Sequence, residues 1–385
     1  MPASQYYPGL PIAPRAARPA PPVRVLLLAP YAPSGGGMGQ MMAYLARENA
    51  PGLRFVKVET RGGGPASASL WPMLKAASRI VRAALAGPAI VHVNVAEGLS
   101  VPRKGALLLL ARLCRLPVVL HLHAANIIAL HARLPAPARL AMALLFRSAT
   151  VCIVLGSLWA EWLERTLGVK PDRIETLRNG VPPPATTRNA MARDGTFTLV
   201  FIGNLLPRKG LPDLIAALAD PSLASGNWRL LVAGGGDENA LRRLAAEHGI
   251  AGRVQFLGWL ERGACTALLA AAGALVLPAY HEALPLVLLE AASLGVPVIT
   301  TPVGAIADYF ADGETALLVP PGDTAALAGA LARVMQDQVL AARLSRNGRV
   351  LYERCFTMAA FSARLREIYL RHCLRPAARR LARAA

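Results

Sequence analysis

Short apolar runs of strand length recur along this chain, each followed by a helix-like pattern, and no other feature constrains the fold so tightly. Consecutive Val, Leu and Ile are what a strand buried on both faces needs, and a helical crossover is the connection that parallel neighbours require. In the first half the predicted strands are Val23–Leu28, Arg54–Val58, Ile90–Val93, Val118–Leu122 and Val151–Leu155. In the second half they are Thr198–Ile202, Arg229–Ala233, Val254–Leu257, Ala274–Leu277, Val298–Thr300 and Ala316–Leu318. Between the two sets lies PPPATTRNAMARDG, Pro182 to Gly195, whose prolines and polar residues read as a linker. The expected architecture is therefore α/β, with two doubly wound, Rossmann-like domains facing each other across a cleft. A chain of 385 residues supports two cores of ordinary size. The expected divisions are a flexible proline-rich tail at 1–22, a first domain at 23–181, a linker at 182–196, a second domain at 197–358 and a basic terminal helix at 359–385.

The charge is distributed unevenly along these divisions. Residues 1–185 hold 21 Lys and Arg against 7 Asp and Glu, residues 186–360 hold 14 against 15, and the last 25 hold 7 against 1. A near-neutral second half excludes a polyanion binder that uses the whole chain, and the basic first half and tail suit one face meeting an anionic surface. No recognised nucleic-acid module accompanies the charge, so no nucleic-acid partner is expected. The tail lacks the apolar stretch of a secretory signal. Five scattered cysteines, Cys114, Cys152, Cys265, Cys355 and Cys373, suit a reducing cytoplasm and show no metal-ligand spacing.

In open α/β sheets ligands settle at the C-terminal ends of strands, so motifs there carry the functional reading. After the first strand comes PYAPSGGGMGQ, Pro30 to Gln40, where Gly35, Gly36, Gly37 and Gly39 let backbone amides approach an anion. It fits neither the dinucleotide nor the triphosphate loop spacing. The strand Val118–Leu122 leads into His123, and alternation puts His121 and His123 on one face. The turn GNLLPRKG, Gly203 to Gly210, sets Arg208 and Lys209 beside a helix start, where fixed cations can neutralise a departing diphosphate. Another glycine turn, LVAGGGD, includes Gly235. Finally HEALPLVLLEAASLG, His281 to Gly295, places Glu282 in a turn and Glu290 in the second turn of a helix whose first residue is expected to be Pro285. Free N–H groups at such a helix start attract phosphate oxygens, and carboxylates beside them suit the hydroxyl groups of an attached sugar or ribose.

This order of elements, including Asn179-Gly180-Val181 ahead of the linker, resembles retaining glycosyltransferase family 4, nucleotide-sugar enzymes of the GT-B fold. The likeness runs from about residue 23 to residue 370 and is densest from Thr198 to Val319. It implies a nucleoside-diphosphate sugar as donor substrate and a glycan or lipid-linked acceptor, with no separate cofactor; no Asp-any-Asp motif occurs in the sequence, so no metal is expected. By the same resemblance, Glu290 would bind the ribose and Glu282 would lie by the donor sugar. Lys209 would hold the diphosphate, and the amides of Ala283, Leu284, Pro285 and Leu286 would line sugar and phosphate, Pro285 lacking an N–H of its own. Gly36 and Gly37 would close over the phosphates, and His123 would lie by the reacting centre. Three positions depart from the family pattern. Asn204 stands where an arginine is usual, which leaves Arg208 as its replacement; Ala283 stands for a glycine; Pro182 stands for an acidic residue.

The segment Leu70–Ala86 has apolar Leu70, Leu74, Ala77, Val81 and Leu85 on one side and Lys75, Arg79 and Arg82 on another. That pattern fits a helix lying on an anionic leaflet, or a helix that simply buries its apolar side. The preferred reading is a cytoplasmic enzyme held peripherally on the inner membrane face, moving a hexose to a lipid-linked acceptor in envelope or exopolysaccharide assembly. The alternatives are a nucleotide-sugar epimerase of the same fold and a non-catalytic membrane- or polyanion-binding relative.

Overall fold

A computed structural model of the protein describes residues 22–31, 36–48, 50–63, 69–188 and 195–374. The proline-rich tail up to residue 21, Gly35, the middle of the linker and the arginine-rich end beyond Leu374 lie outside the described residues. Among the described residues twelve strands form two sheets, every pair parallel. The first comprises β1 (Val23–Ala29), β2 (Leu53–Glu59), β3 (Ala89–Val95), β4 (Val118–Leu122), β5 (Val151–Val154) and β6 (Ile174–Thr176), in the order β2-β1-β3-β4-β5-β6. The second comprises β7 (Phe197–Ile202), β8 (Trp228–Ala233), β9 (Val254–Phe256), β10 (Ala274–Leu277), β11 (Val298–Thr300) and β12 (Leu317–Leu318), in the order β12-β11-β10-β7-β8-β9. Strand order reverses beside β1 in the first sheet and beside β7 in the second. Crossovers diverge at those points and leave a crevice above the strand ends.

The central strands are buried on both faces, which is why they read as predominantly apolar runs, broken in β3 by His92 and Asn94 and in β4 by His121. All seven residues of β3 are buried, and so are all five of β4. The sequence reading lacks only β6. This three-residue edge strand carries Glu175 in its middle, so no apolar run marks it. Glu175 is itself buried by the last helix of the chain, Met358–Ile368, and the π-helical turn Tyr369–Leu374 that continues it. Arg364 Nη2 at 2.8 Å, Arg371 Nη1 at 3.0 Å and His372 Nε2 at 2.8 Å all meet its carboxylate. The last described segment, through Leu374, is thereby packed on the first domain, although it follows the second. Further contacts tie the two halves: Ser157 donates both its N–H and its hydroxyl to Asp308, at 2.7 and 2.8 Å, and Tyr309 donates to the carbonyl of Leu155.

The helix Leu70–Leu85 turns out to bury a face other than the apolar stripe of the sequence. Ala76, Ile80 and Ala83 pack inward, whereas Leu70, Leu74, Val81 and Leu85 are exposed, with Trp71 beside them. Ile80 and two alanines suffice to seat the helix against β1, β2 and β3, so Leu70, Leu74, Val81 and Leu85 remain on the surface. Among the described residues, no helix is long and apolar enough to cross a membrane.

Candidate functional site

The site is built on the second sheet where β7 and β10 part. Beyond β10 the chain turns through Pro278 to Pro285 and enters the helix Leu286–Leu294. Pro285 has φ −65° and ψ 130°, so it caps the helix from outside and does not form its first residue. The turn is held by close backbone packing. A β-carbon on Gly304 would lie 1.9 Å from the carbonyl oxygen of Glu282, and one on Gly210 would lie 2.0 Å from that of Pro278. Gly210 also has φ +71°, which glycine alone adopts without strain. These contacts press the tight turn Pro207–Lys209 against the residues ahead of Glu282.

The result is a compact charge cluster. Arg208 Nη1 donates to the carbonyl of His281 at 2.9 Å and lies 3.3 Å from Glu282 Oε1. Lys209 Nζ pairs with the same carboxylate oxygen. Glu282 is buried apart from a small fraction of its surface, and burying a carboxylate requires such partners. Asn204, at the end of β7, is exposed, so Arg208 and not position 204 turns a guanidinium toward this turn. Gly235 is exposed above β8 and its carbonyl accepts from Leu205 N–H at 2.9 Å, which joins the two glycine turns.

Glu290 lies on the same helix as one of its few polar positions. Tyr44 of the first domain donates its hydroxyl to Glu290 Oε1 at 3.3 Å, and the Arg262 guanidinium stacks 3.9 Å from the centre of the Tyr44 ring. Burial raises the Glu290 carboxyl above its ordinary range while Arg262 opposes that shift. The first domain also approaches the helix start itself. A β-carbon on Gly37 would stand 3.8 Å from Leu286 Cγ, and Asn179 Nδ2 donates to the Leu284 carbonyl at 3.0 Å. Ala283 is buried, its carbonyl accepting from Ala305 N–H at 2.9 Å. Gly36, with φ +56°, opens the helix Gly36–Leu45 and has open space where a side chain would be. Gly36, Gly37, Ala283, Leu284, Pro285 and Leu286 are thus collected around one helix start, next to Glu282, Arg208 and Lys209.

His123 belongs to the other wall. Its backbone N–H bonds the Val95 carbonyl at 2.8 Å, and its ring Nε2 lies 3.0 Å from Asn94 Oδ1. The Asn94 amide has no freedom of orientation, because its Nδ2 donates to the Leu28 carbonyl at 3.2 Å and a carbonyl can only accept. Oδ1 must therefore face the histidine, Nε2 must carry the proton, and Nδ1 is left with a lone pair. Burial, with help from His92 and Lys104, lowers the His123 pKa to about 3, so the ring is neutral at ordinary pH. Behind it, the His121 ring lies 4.0 Å from that of His123, His92 Nε2 lies 3.2 Å from His121 Nδ1, and His92 Nδ1 lies 2.6 Å from the Tyr369 hydroxyl. A buried polar chain therefore connects the strand-end histidine to the last helix. Lys104 donates to the Asn94 carbonyl from a buried position.

Tyr44, Arg262, Asn94 and Lys104 are absent from the sequence-derived site. Asn94 had a signal: it alternates with His92 in the otherwise apolar run AIVHVNV, and a polar side chain in a fully buried strand must have a partner. Tyr44 and Arg262 had none, since each matters through the opposite domain.

The fold is that of GT-B proteins. Two family matches divide the chain: residues 12–180 match the Glycosyl transferase 4-like domain and residues 186–351 match Glycosyl transferases group 1. A glycogen synthase of Mycobacterium tuberculosis is 32% identical over 201 residues, which is 51% of this chain and 48% of that protein. The chain thus spans about half the length of the curated relatives it matches. Among solved structures, the sucrose-phosphate synthase of Thermosynechococcus elongatus superposes with a TM-score of 0.73 at 22% identity, covering 94% of this chain and all of that one. The Anabaena protein HepE, crystallised with UDP and glucose, gives a TM-score of 0.71 at 16% identity over 90% of this chain and 99% of that one. Fold and matches together support a GT-B glycosyltransferase.

Proposed function

We propose that this protein transfers a sugar from a nucleoside-diphosphate sugar to an acceptor hydroxyl with retention of the anomeric configuration, on a lipid-linked acceptor in glycan assembly. The observation that carries the reading is the convergence of Lys209, Arg208 and the N-terminal end of the Leu286–Leu294 helix on one turn, with Gly37 facing them from the other domain. The bond from the anomeric carbon to the diphosphate breaks, and negative charge grows on the departing oxygen. Fixed cations and helix N–H groups aimed at that oxygen stabilise the transition state more than the ground state. The acceptor oxygen then bonds the anomeric carbon from the face the diphosphate leaves, and its proton passes to the diphosphate. Glu290 is assigned to the ribose hydroxyls. Glu282 holds Lys209 and Arg208 in place and lies by the sugar, and neutral His123 presents the Nδ1 lone pair to a sugar hydroxyl. The UDP and glucose held by HepE are in keeping with such a donor.

The assignment of the acceptor to a lipid, and of the protein to a membrane face, draws on the exposed Leu70, Trp71, Leu74, Val81 and Leu85 beside Lys75, Arg79 and Arg82. The experiment is incubation of a panel of nucleotide sugars with the protein and a membrane extract, reading diphosphate release and the configuration of the new linkage. Release that depends on added lipid, giving a product of unchanged configuration, is the expected result. An epimerised sugar nucleotide formed without any acceptor, or an inverted linkage, would overturn it.

A further inference from the structure

An apolar trough of about 1060 Å³ runs along the first domain between the helix Ser100–Leu113 and the helices Ile127–Arg133 and Ala136–Ser148. Leu99, Ala106 and Leu109 line it from one side and Ala141 and Leu144 from the other, and Leu130 lines it as well. The two long helices touch at the floor, where a β-carbon on Gly105 would lie 2.8 Å from Leu145 Cδ2. Leu99, Leu109 and Leu144 are 63%, 51% and 54% exposed. A contiguous apolar concavity of this size on a soluble surface marks a binding site more often than chance exposure does.

We infer that this trough holds the hydrocarbon chain of the lipid-linked acceptor, an inference that rests on the transferase reading above. Two observations select that occupant. The first is position: Leu99 follows the loop after β3, and Leu130 sits one turn into the helix that follows His123 and β4. Asn126 N–H bonds Glu97 Oε1 at 3.3 Å, so the two strand-end loops that carry the trough's mouth are joined beside His123. A chain lying in the trough delivers its head group to the strand ends where the acceptor must react. The second is charge: from Gly98 to Ala160 the sequence has Arg103, Lys104, Arg112, Arg115, Arg133, Arg139 and Arg147 and no Asp or Glu. Arg112, Arg115, Arg133 and Arg139, carried by the helices that form the trough and the turn after the first of them, are exposed, and an apolar channel on so basic a stretch of chain fits an anionic lipid.

The test uses a hexadecyl phosphate carrying a diazirine at the end of its chain, photo-crosslinked to the full-length protein and mapped by mass spectrometry. Adducts are expected on the peptides containing Leu99–Leu113 and Leu130–Ser148, competed by plain hexadecyl phosphate and not by butyl phosphate. Filling the trough with Ala106→Phe and Ala141→Phe together lowers this labelling at least tenfold. Leu144→Glu, at an exposed position, does the same without repacking. Both variants keep the wild-type melting shift with nucleotide sugar, which shows that they fold and that the donor site is intact. Adducts spread over the surface or concentrated on Leu70–Leu85, or unchanged labelling in both variants, would overturn the assignment. A wild type that transfers sugar to lipid acceptor while failing this labelling would sink the trough alone. No donor-dependent shift and no transfer in the wild type would sink the transferase reading itself.

Discussion

Replacing Lys104 by methionine should reverse its effect on stability between acid and alkaline pH. Lys104 is only 4% exposed. Burial, and after it the neighbouring Arg103, lowers its pKa from 10.5 to about 7, with Glu59 opposing. Between those two values the unfolded chain carries a proton on this amine that the folded protein has released. Stability therefore rises with pH across that window, by about 1.4 kcal/mol per pH unit, and the full cost of charging the buried amine below it is about 5 kcal/mol. Methionine fills similar space and carries no such cost. It does lose the hydrogen bond to the Asn94 carbonyl, worth about 1 kcal/mol at any pH. The variant should be the more stable protein by about 4 kcal/mol near pH 6 and the less stable by about 1 kcal/mol near pH 11. Urea unfolding of both proteins at pH 6, 8 and 10, read by the fluorescence of the buried Trp159 and Trp162 of the same domain, measures the difference. A difference that does not change with pH would refute the argument and mean that the amine stays charged inside the fold.

Three other outcomes follow from the site. Lys209→Ala should lower kcat/KM by about a hundred- to a thousandfold, the loss seen when one donor to a developing charge is removed, while Lys209→Arg recovers part of it; near-normal turnover in the alanine variant, measured by diphosphate release, would remove the leaving-group account. Asn94→Leu should free the His123 ring to protonate at either nitrogen, which ¹⁵N spectra of labelled histidine resolve, and should cost about 1–3 kcal/mol of stability from the lost side-chain hydrogen bonds to the Leu28 carbonyl and the buried His123 ring. Gly39→Ala should destabilise by at least about 1–3 kcal/mol, because its β-carbon would lie 2.1 Å from the Pro30 carbonyl oxygen and must lift the Gly36–Leu45 helix from β1; a wild-type melting temperature in that variant would contradict the close packing.

The strands were legible because parallel sheets bury both faces, so β3, β4 and β10 leave apolar runs that can be read one residue at a time. The turn from Glu282 to Leu286 was legible as structure for a related reason: its carboxylate, its proline and the helix it enters follow one another within one stretch of chain. β6 was hidden because its central residue is a glutamate satisfied by arginines nearly two hundred residues on. The Leu70–Leu85 helix shows the limit of periodicity. Its sequence offers two faces that could go inward, and only the space above β1, β2 and β3 decides for Ala76, Ile80 and Ala83. Tyr44 and Arg262 mark the same boundary, since their partners are set by how two domains meet and no local pattern encodes that.

The hydrogen bond from Tyr44 to Glu290 has a consequence for how the cleft is filled. On the proposed ribose role, Glu290 offers a ligand a carboxylate whose Oε1 is already held by the opposite domain. A molecule that takes both oxygens displaces the tyrosine hydroxyl, and with it disturbs the cation stacked on that ring. A two-point grip on the ligand and this contact across the cleft exclude each other, which makes Tyr44 a doorstop rather than part of the cradle. A Tyr44→Phe protein should accordingly take up nucleotide sugar faster than the wild type, with its hold on the bound molecule little changed.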